Sequence, residues 1–104
     1  MSKILVVDDS NYIRKFVAFS LKAVGYKVAT ANDGMEAMEL LPHTKFDLVI
    51  TDLNMPNVDG YQLVKYLRDD EEYQNVPIII LSSEKEDEDK ELAFKLGANA
   101  YVVK

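Results

Sequence analysis

Short apolar runs recur along this chain, and each gives way to polar or charged residues. The run Ile4-Leu5-Val6-Val7 stops on Asp8-Asp9, and Leu48-Val49-Ile50-Thr51 stops on Asp52. Pro77-Ile78-Ile79-Ile80-Leu81 stops on Ser82-Ser83, and Ala100-Tyr101-Val102-Val103 stops on Lys104. Runs this short, rich in β-branched residues and apolar almost throughout, read as strands buried on both faces. A further stretch, Tyr26-Lys27-Val28-Ala29-Thr30, reads as a short, more mixed strand. Segments of helical period separate them. Strand and helix alternating in this way means a parallel sheet of right-handed crossovers, with helices on both faces.

The helices have legible ends. Ser10 is a good cap for the first, in which Ile13, Phe16, Val17, Leu21 and Val24 fall at helical spacing before Gly25. Asn32-Asp33-Gly34 is turn chemistry that opens a second helix, with Ala37, Met38 and Leu41 inward and Pro42 as its end. Asn57-Val58-Asp59-Gly60 forms a loop and cap for a third, carrying a Leu63, Val64, Leu67 stripe. Asp69-Asp70-Glu71-Glu72 reads as a solvated helix end. The fourth helix spans Glu84 to Leu96, its acidic first half suiting the helix dipole, and Gly97 caps it. Phe94 lies off its Leu92/Ala93/Leu96 stripe and reads either as a partner contact or as a spare core residue.

A chain of 104 residues makes one small domain, and no repeat or linker suggests a second. Its net charge of −6, with no Lys/Arg cluster, argues against direct nucleic-acid binding or an anionic membrane. With no cysteine there is neither disulfide nor thiolate metal site. No apolar run approaches the roughly 18 residues of a membrane span. Met1-Ser2-Lys3 runs straight into the first strand, which leaves no room for a signal peptide. The expected location is cytoplasmic.

In an open parallel sheet, ligands bind at the carboxyl ends of the strands. Asp8, Asp9, Asp52, Ser82 and Lys104 would therefore converge on one edge. Clustered carboxylates repel one another and call for a cation. Oxygen-only ligands with room for water suit Mg²⁺. Asp52 could then attack phosphorus as a carboxylate nucleophile, with Ser82 and Lys104 binding the phosphoryl oxygens. Taken singly, these residues read as a helix cap, a loop hydroxyl, a solvated lysine and a turn residue. Their placement at the ends of four particular strands favours a site.

These motifs, with Asp47-Leu48-Val49-Ile50-Thr51-Asp52-Leu53-Asn54-Met55-Pro56, Asp59-Gly60 and Gly97-Ala98, cover essentially the whole chain. In them the sequence resembles the receiver domain of the two-component response regulators, and its organisation is similar to that of the family's stand-alone chemotaxis member. The resemblance implies a flavodoxin-like, doubly wound α/β fold with five parallel strands in the order 2-1-3-4-5. It implies that Asp52 is the phosphoacceptor and that Asp9 binds Mg²⁺ directly and Asp8 through water. Asn54 would give the metal its backbone carbonyl. Its side chain, facing Glu84, would tune hydrolysis of the phosphoryl group. Ser82 would move toward the phosphoryl oxygen and Tyr101 swing into the space it leaves. Lys104 would pair with the phosphoryl group, and the small Ser83 would leave the acceptor accessible. The implied donor is a sensor histidine kinase or phosphotransfer protein. The implied listener is an output protein or domain, contacting the face from Glu84 to Leu96 with Tyr101. His43, the single histidine, lies in a loop beside Pro42 and is read as solvated.

Family members normally continue past the matching lysine with a proline and a fifth helix, and this sequence stops at Lys104. The expectation is thus a receiver over 1–104 without its final helix, with one sheet face bare or covered by a swapped or dimeric arrangement. Three rival readings fit less well. A dehalogenase-type phosphatase needs a second acid where Asn54 stands, and a chain long enough for a cap domain. A nucleotide or flavin module needs glycines where Asp8-Asp9-Ser10-Asn11 stand. A receiver that has lost phosphorylation would not be expected to keep Asp8, Asp9, Asp52, Ser82 and Lys104 together.

Overall fold

The structure is a computed structural model describing residues 2–104. Strands β1 (Lys3–Val7), β2 (Lys27–Ala31), β3 (Leu48–Thr51), β4 (Ile78–Ser82) and β5 (Ala100–Val103) alternate with helices α1 (Asn11–Ala23), α2 (Gly34–Leu40), α3 (Gly60–Asp69) and α4 (Asp87–Leu96). The strands form one parallel sheet in the order β2-β1-β3-β4-β5, the flavodoxin-like order expected from the sequence. Val7 pairs with Thr51, Thr51 with Ile80, and Ile80 with Tyr101, and β4 and β5 run two residues further, to Ser82 and Val103. That register delivers Asp8, Asp52, Ser82 and Lys104 to one edge.

The two faces are covered unequally. Leu5, Val7, Val49, Ile78 and Ile80 pack under α2, α3 and α4, against Ala37, Leu63, Val64, Leu67 and Ala93. On the other face Ile4, Val6 and Ile50 pack with Val17 and Leu21 of α1. Beside α1 that face opens into a groove of about 340 Å³ lined by Ile4, Leu21, Tyr26, Leu48, Ile50 and Ile79.

Caps follow the sequence reading. Ser10 Oγ accepts from the Ile13 amide at 3.3 Å, and Asp33 Oδ1 from the Glu36 amide at 2.9 Å. Asp59 and Gln62 close a reciprocal capping box on α3. Three readings need correction. Phe16 and Val24 are exposed, not inward, because α1 rests on the sheet through Val17, Ala18 and Leu21. Leu92 is likewise exposed, and so is Phe94, which is therefore no core residue. The fourth helix begins at Asp87, three residues after Glu84, because neighbouring elements engage Glu84 by its amide, carbonyl and side chain.

Tyr73, just past the Asp69-to-Glu72 run and given no role in the sequence reading, is 1% exposed. Its hydroxyl proton is shared between the carbonyls of Leu41 and Thr44, at 2.8 and 2.7 Å, and its oxygen accepts from the Phe46 amide. The phenol thus ties the turn after α2 to the turn after α3. Tyr73→Phe should cost about 1–2 kcal/mol, the expected loss for unpairing buried carbonyls, read as a lower urea midpoint with unchanged slope.

Candidate functional site

The site begins with two strands that end on acids. Asp8 continues the β1 ladder by donating its amide to the Ala31 carbonyl, and Asp52 continues β3 by donating to Val7. Both residues are consequently held at the sheet edge, with side chains 3% and 9% exposed. Each has one oxygen on a backbone amide: Asp8 Oδ1 accepts from Ser10 at 2.9 Å, and Asp52 Oδ1 from Leu53 at 2.7 Å. Their other oxygens share one cation. Lys104 Nζ lies 3.0 Å from Asp8 Oδ2 and 3.0 Å from Asp52 Oδ2. The Lys104 amide donates to the Ser82 carbonyl at 2.9 Å, so the sheet register itself places the ammonium. Burial pulls the Lys104 ammonium downward, but hydrogen bonds to Asp52 and Asp8 prevail and hold it above the usual lysine value.

Asp9 stands exposed at the rim, and oxygens of Asp8, Asp9 and Asp52 lie within 4.8 Å of one another. Three carboxylates facing one ammonium leave an excess of negative charge. The donors are all oxygens and the rim is open to water. This set fits a hard divalent cation such as Mg²⁺.

A second cluster surrounds Glu84. Asn54 Nδ2 donates to Glu84 Oε1 at 2.6 Å, while the Glu84 amide donates to the buried Ser82 Oγ at 3.1 Å. Tyr101 donates its hydroxyl to the Glu84 carbonyl at 2.7 Å, and its ring packs against the core. Burial pushes that phenol upward, against the pull of its hydrogen bond with Ser82. Ser83 is exposed beside them. The structure thus joins Asp8, Asp9, Asp52 and Lys104 in one group, and Asn54, Ser82, Glu84 and Tyr101 in another.

The loop after Asp52 is pinned from two sides. A β-carbon at Gly60 would overlap the Asp52 carbonyl, so α3 can rest on the backbone of that loop only through glycine. Asn57 adopts a positive φ of 67° and donates Nδ2 to Asp33 Oδ2 at 3.0 Å. The Glu36 amide and then Asn57 hold the Asp33 carboxyl below the usual range. The sequence reading missed the Asn57–Asp33 tie, although the Asn in the turn signalled it, since Asn tolerates this backbone region. It also missed Tyr61 on α3, which donates to Asp89 Oδ1 on α4 at 3.0 Å. No local pattern announces a pairing across two helices.

The family described as Response regulator receiver domain matches residues 4–104. The chemotaxis protein CheY-3 of Vibrio cholerae is 38% identical over 98% of this chain and 79% of its own length. Three other relatives, 39, 40 and 42% identical, are far longer, and the chain spans 13, 15 and 39% of their lengths. The structure of the V. cholerae chemotaxis response regulator CheY4 superposes with a TM-score of 0.95 at 40% identity, covering 100% of this chain and 87% of that one. The response regulator TrrA of Thermotoga maritima, solved in complex with Mg²⁺ and beryllium fluoride, gives a TM-score of 0.88 at 34% identity, again over 100% and 87% of the chains.

Proposed function

Since this chain belongs to the response regulator receiver domains, a family of signalling domains rather than metabolic enzymes, we propose that it is a switch phosphorylated on Asp52. The observation that carries this reading is the single ammonium of Lys104 placed 3.0 Å from both Asp52 and Asp8, among carboxylates that outnumber it. A phosphoryl group on Asp52 would bring negative charge to a place already equipped to meet it.

Asp52 Oδ2 attacks the phosphorus of a phosphohistidine on a sensor kinase or phosphotransfer protein. The new O–P bond replaces the P–N bond, whose electron pair stays on the imidazole. Asp8, Asp9 and Asp52, with the Asn54 carbonyl, would hold Mg²⁺, which supplies charge neutralisation for the incoming group. Lys104 then holds the phosphoryl oxygens, and Ser82 turns its hydroxyl toward them. Asn54 and Glu84, bonded across the mouth, govern the approach of water to the acyl phosphate. Ser82 and Tyr101 both contact Glu84, so the state of Asp52 is passed to the α4–β5 surface, where an output partner or domain would read it.

Incubation with Mg²⁺ and acetyl phosphate should add one phosphoryl group, seen by intact mass. Fluoroberyllate with Mg²⁺ should shift the amide resonances around Asp52 and Tyr101. A folded chain that gives neither response would refute the reading.

A further inference from the structure

Helix α4 is held unequally at its two ends. At its C-terminus the Arg68 guanidinium donates twice to the Gly97 carbonyl, at 2.8 and 3.0 Å, and also to Tyr73 O and Asn99 Oδ1. A β-carbon on Gly97 would collide with the Arg68 side chain, so that end is packed as well as bonded. The N-terminal end is anchored only three residues ahead of the helix, at Glu84, by Asn54, Ser82 and Tyr101. Glu86 gives no side-chain cap, and Asp87, Glu88 and Asp89 crowd the first turn. Residues Ser83, Lys85 and Glu86 leading into it are irregular and exposed. Tyr61 reaches this turn from another element, through its bond to Asp89 Oδ1.

Tyr61 is itself firmly based. It succeeds Gly60, whose amide donates to Leu53 O at 2.8 Å beside the acceptor. The free end of α4 is thus hooked to the backbone that carries Asp52. Ser82 Oγ accepts from the Glu84 amide, so a Ser82 hydroxyl drawn toward Asp52 strips that amide of its acceptor. The segment before α4 is then freer to shift, and Tyr61 is the tie that holds the first turn of α4 in place.

Resting on the assignment of Asp52 as phosphoacceptor, we propose that the Tyr61–Asp89 hydrogen bond is a latch on α4 that holds the unphosphorylated arrangement and opposes capture of a phosphoryl group at Asp52. Tyr61 is a positioning residue, since it touches none of the reacting groups. A bond made in only one of two states shifts their balance by its own free energy.

The test titrates the full chain with fluoroberyllate in excess Mg²⁺, followed by amide resonances. Tyr61→Phe should half-saturate at about three- to tenfold lower concentration than wild type, the expected worth of one part-buried charge-assisted hydrogen bond. Asp89→Asn keeps an acceptor oxygen but loses the charge, and should half-saturate between wild type and Tyr61→Phe. Asp89→Ala should match Tyr61→Phe, and the double variant should gain nothing more. A merely structural Tyr61 predicts unchanged or weaker binding, and that result overturns the latch. So does additivity in the double variant. A wild-type chain that binds no fluoroberyllate overturns the phosphoacceptor assignment and the latch with it, whereas binding that Tyr61→Phe leaves unaltered overturns the latch alone.

Discussion

Asp52→Asn should take up no phosphoryl group from acetyl phosphate at any time point, with intact mass unchanged while wild type gains the adduct. The amide keeps the shape and the Leu53 hydrogen bond, and it lacks the anionic oxygen that attacks phosphorus. The fold should survive, because the substitution removes one of the two carboxylates that share Lys104, in a cluster of three acids. An adduct at full yield in this variant, or a wild type modified on another residue, would refute the acceptor assignment.

Lys104→Met should have the largest effect on stability. It strips the cation from two nearly buried carboxylates, where breaking an ion pair usually costs about 3–5 kcal/mol. The lysine side chain is 19% exposed, so solvent relieves part of that cost. We expect a loss of about 2–3 kcal/mol, or roughly 10–15 °C in the thermal midpoint. Mg²⁺ should restore more of the midpoint in this variant than in wild type, because the carboxylates left behind gain most from a new cation. The pH dependence carries a second signature. The Lys104 ammonium is held above the ordinary value of 10.5, so its contribution is fully present below that pH. It is lost as pH rises through the raised value. Wild type should therefore show an alkaline fall in stability that Lys104→Met lacks. Equal alkaline profiles would mean that Lys104 does not hold the carboxylates in solution.

Much of this was legible because the strands announce themselves. Ile4–Val7 and Ile78–Leu81 are apolar on both faces, and the residues just past each strand are chemically distinct from it. Parallel topology then brought Asp8, Asp52 and Lys104 together without further information. Ser10, Asp33 and Asp59 were recognisable as caps for a similarly local reason. What sequence could not show was which side of a helix meets a neighbour. Phe16, Val24 and Leu92 have helical spacing but stand on open flanks. The start of α4 was misplaced because three contacts from other elements hold Glu84 outside the helix. Tyr61, Arg68 and Tyr73 escaped notice for the same reason. Their partners lie 28 to 32 residues away in the chain, as with Asp89, Gly97 and Leu41.

Strand β5 is tied down at both ends. Asn99 exchanges hydrogen bonds with Ile78 at its start, through its own amide and through Oδ1, and the Lys104 amide is fixed on Ser82 at its finish. Successive side chains of a strand point to opposite faces, and a slip of one residue reverses them all. The strand therefore works as a ruler, and the number of residues between Asn99 and Lys104 is itself part of the site. A single insertion or deletion there would leave every reacting group in the sequence and still carry the ammonium to the wrong side of the sheet. For this stretch, spacing is under as much chemical constraint as identity.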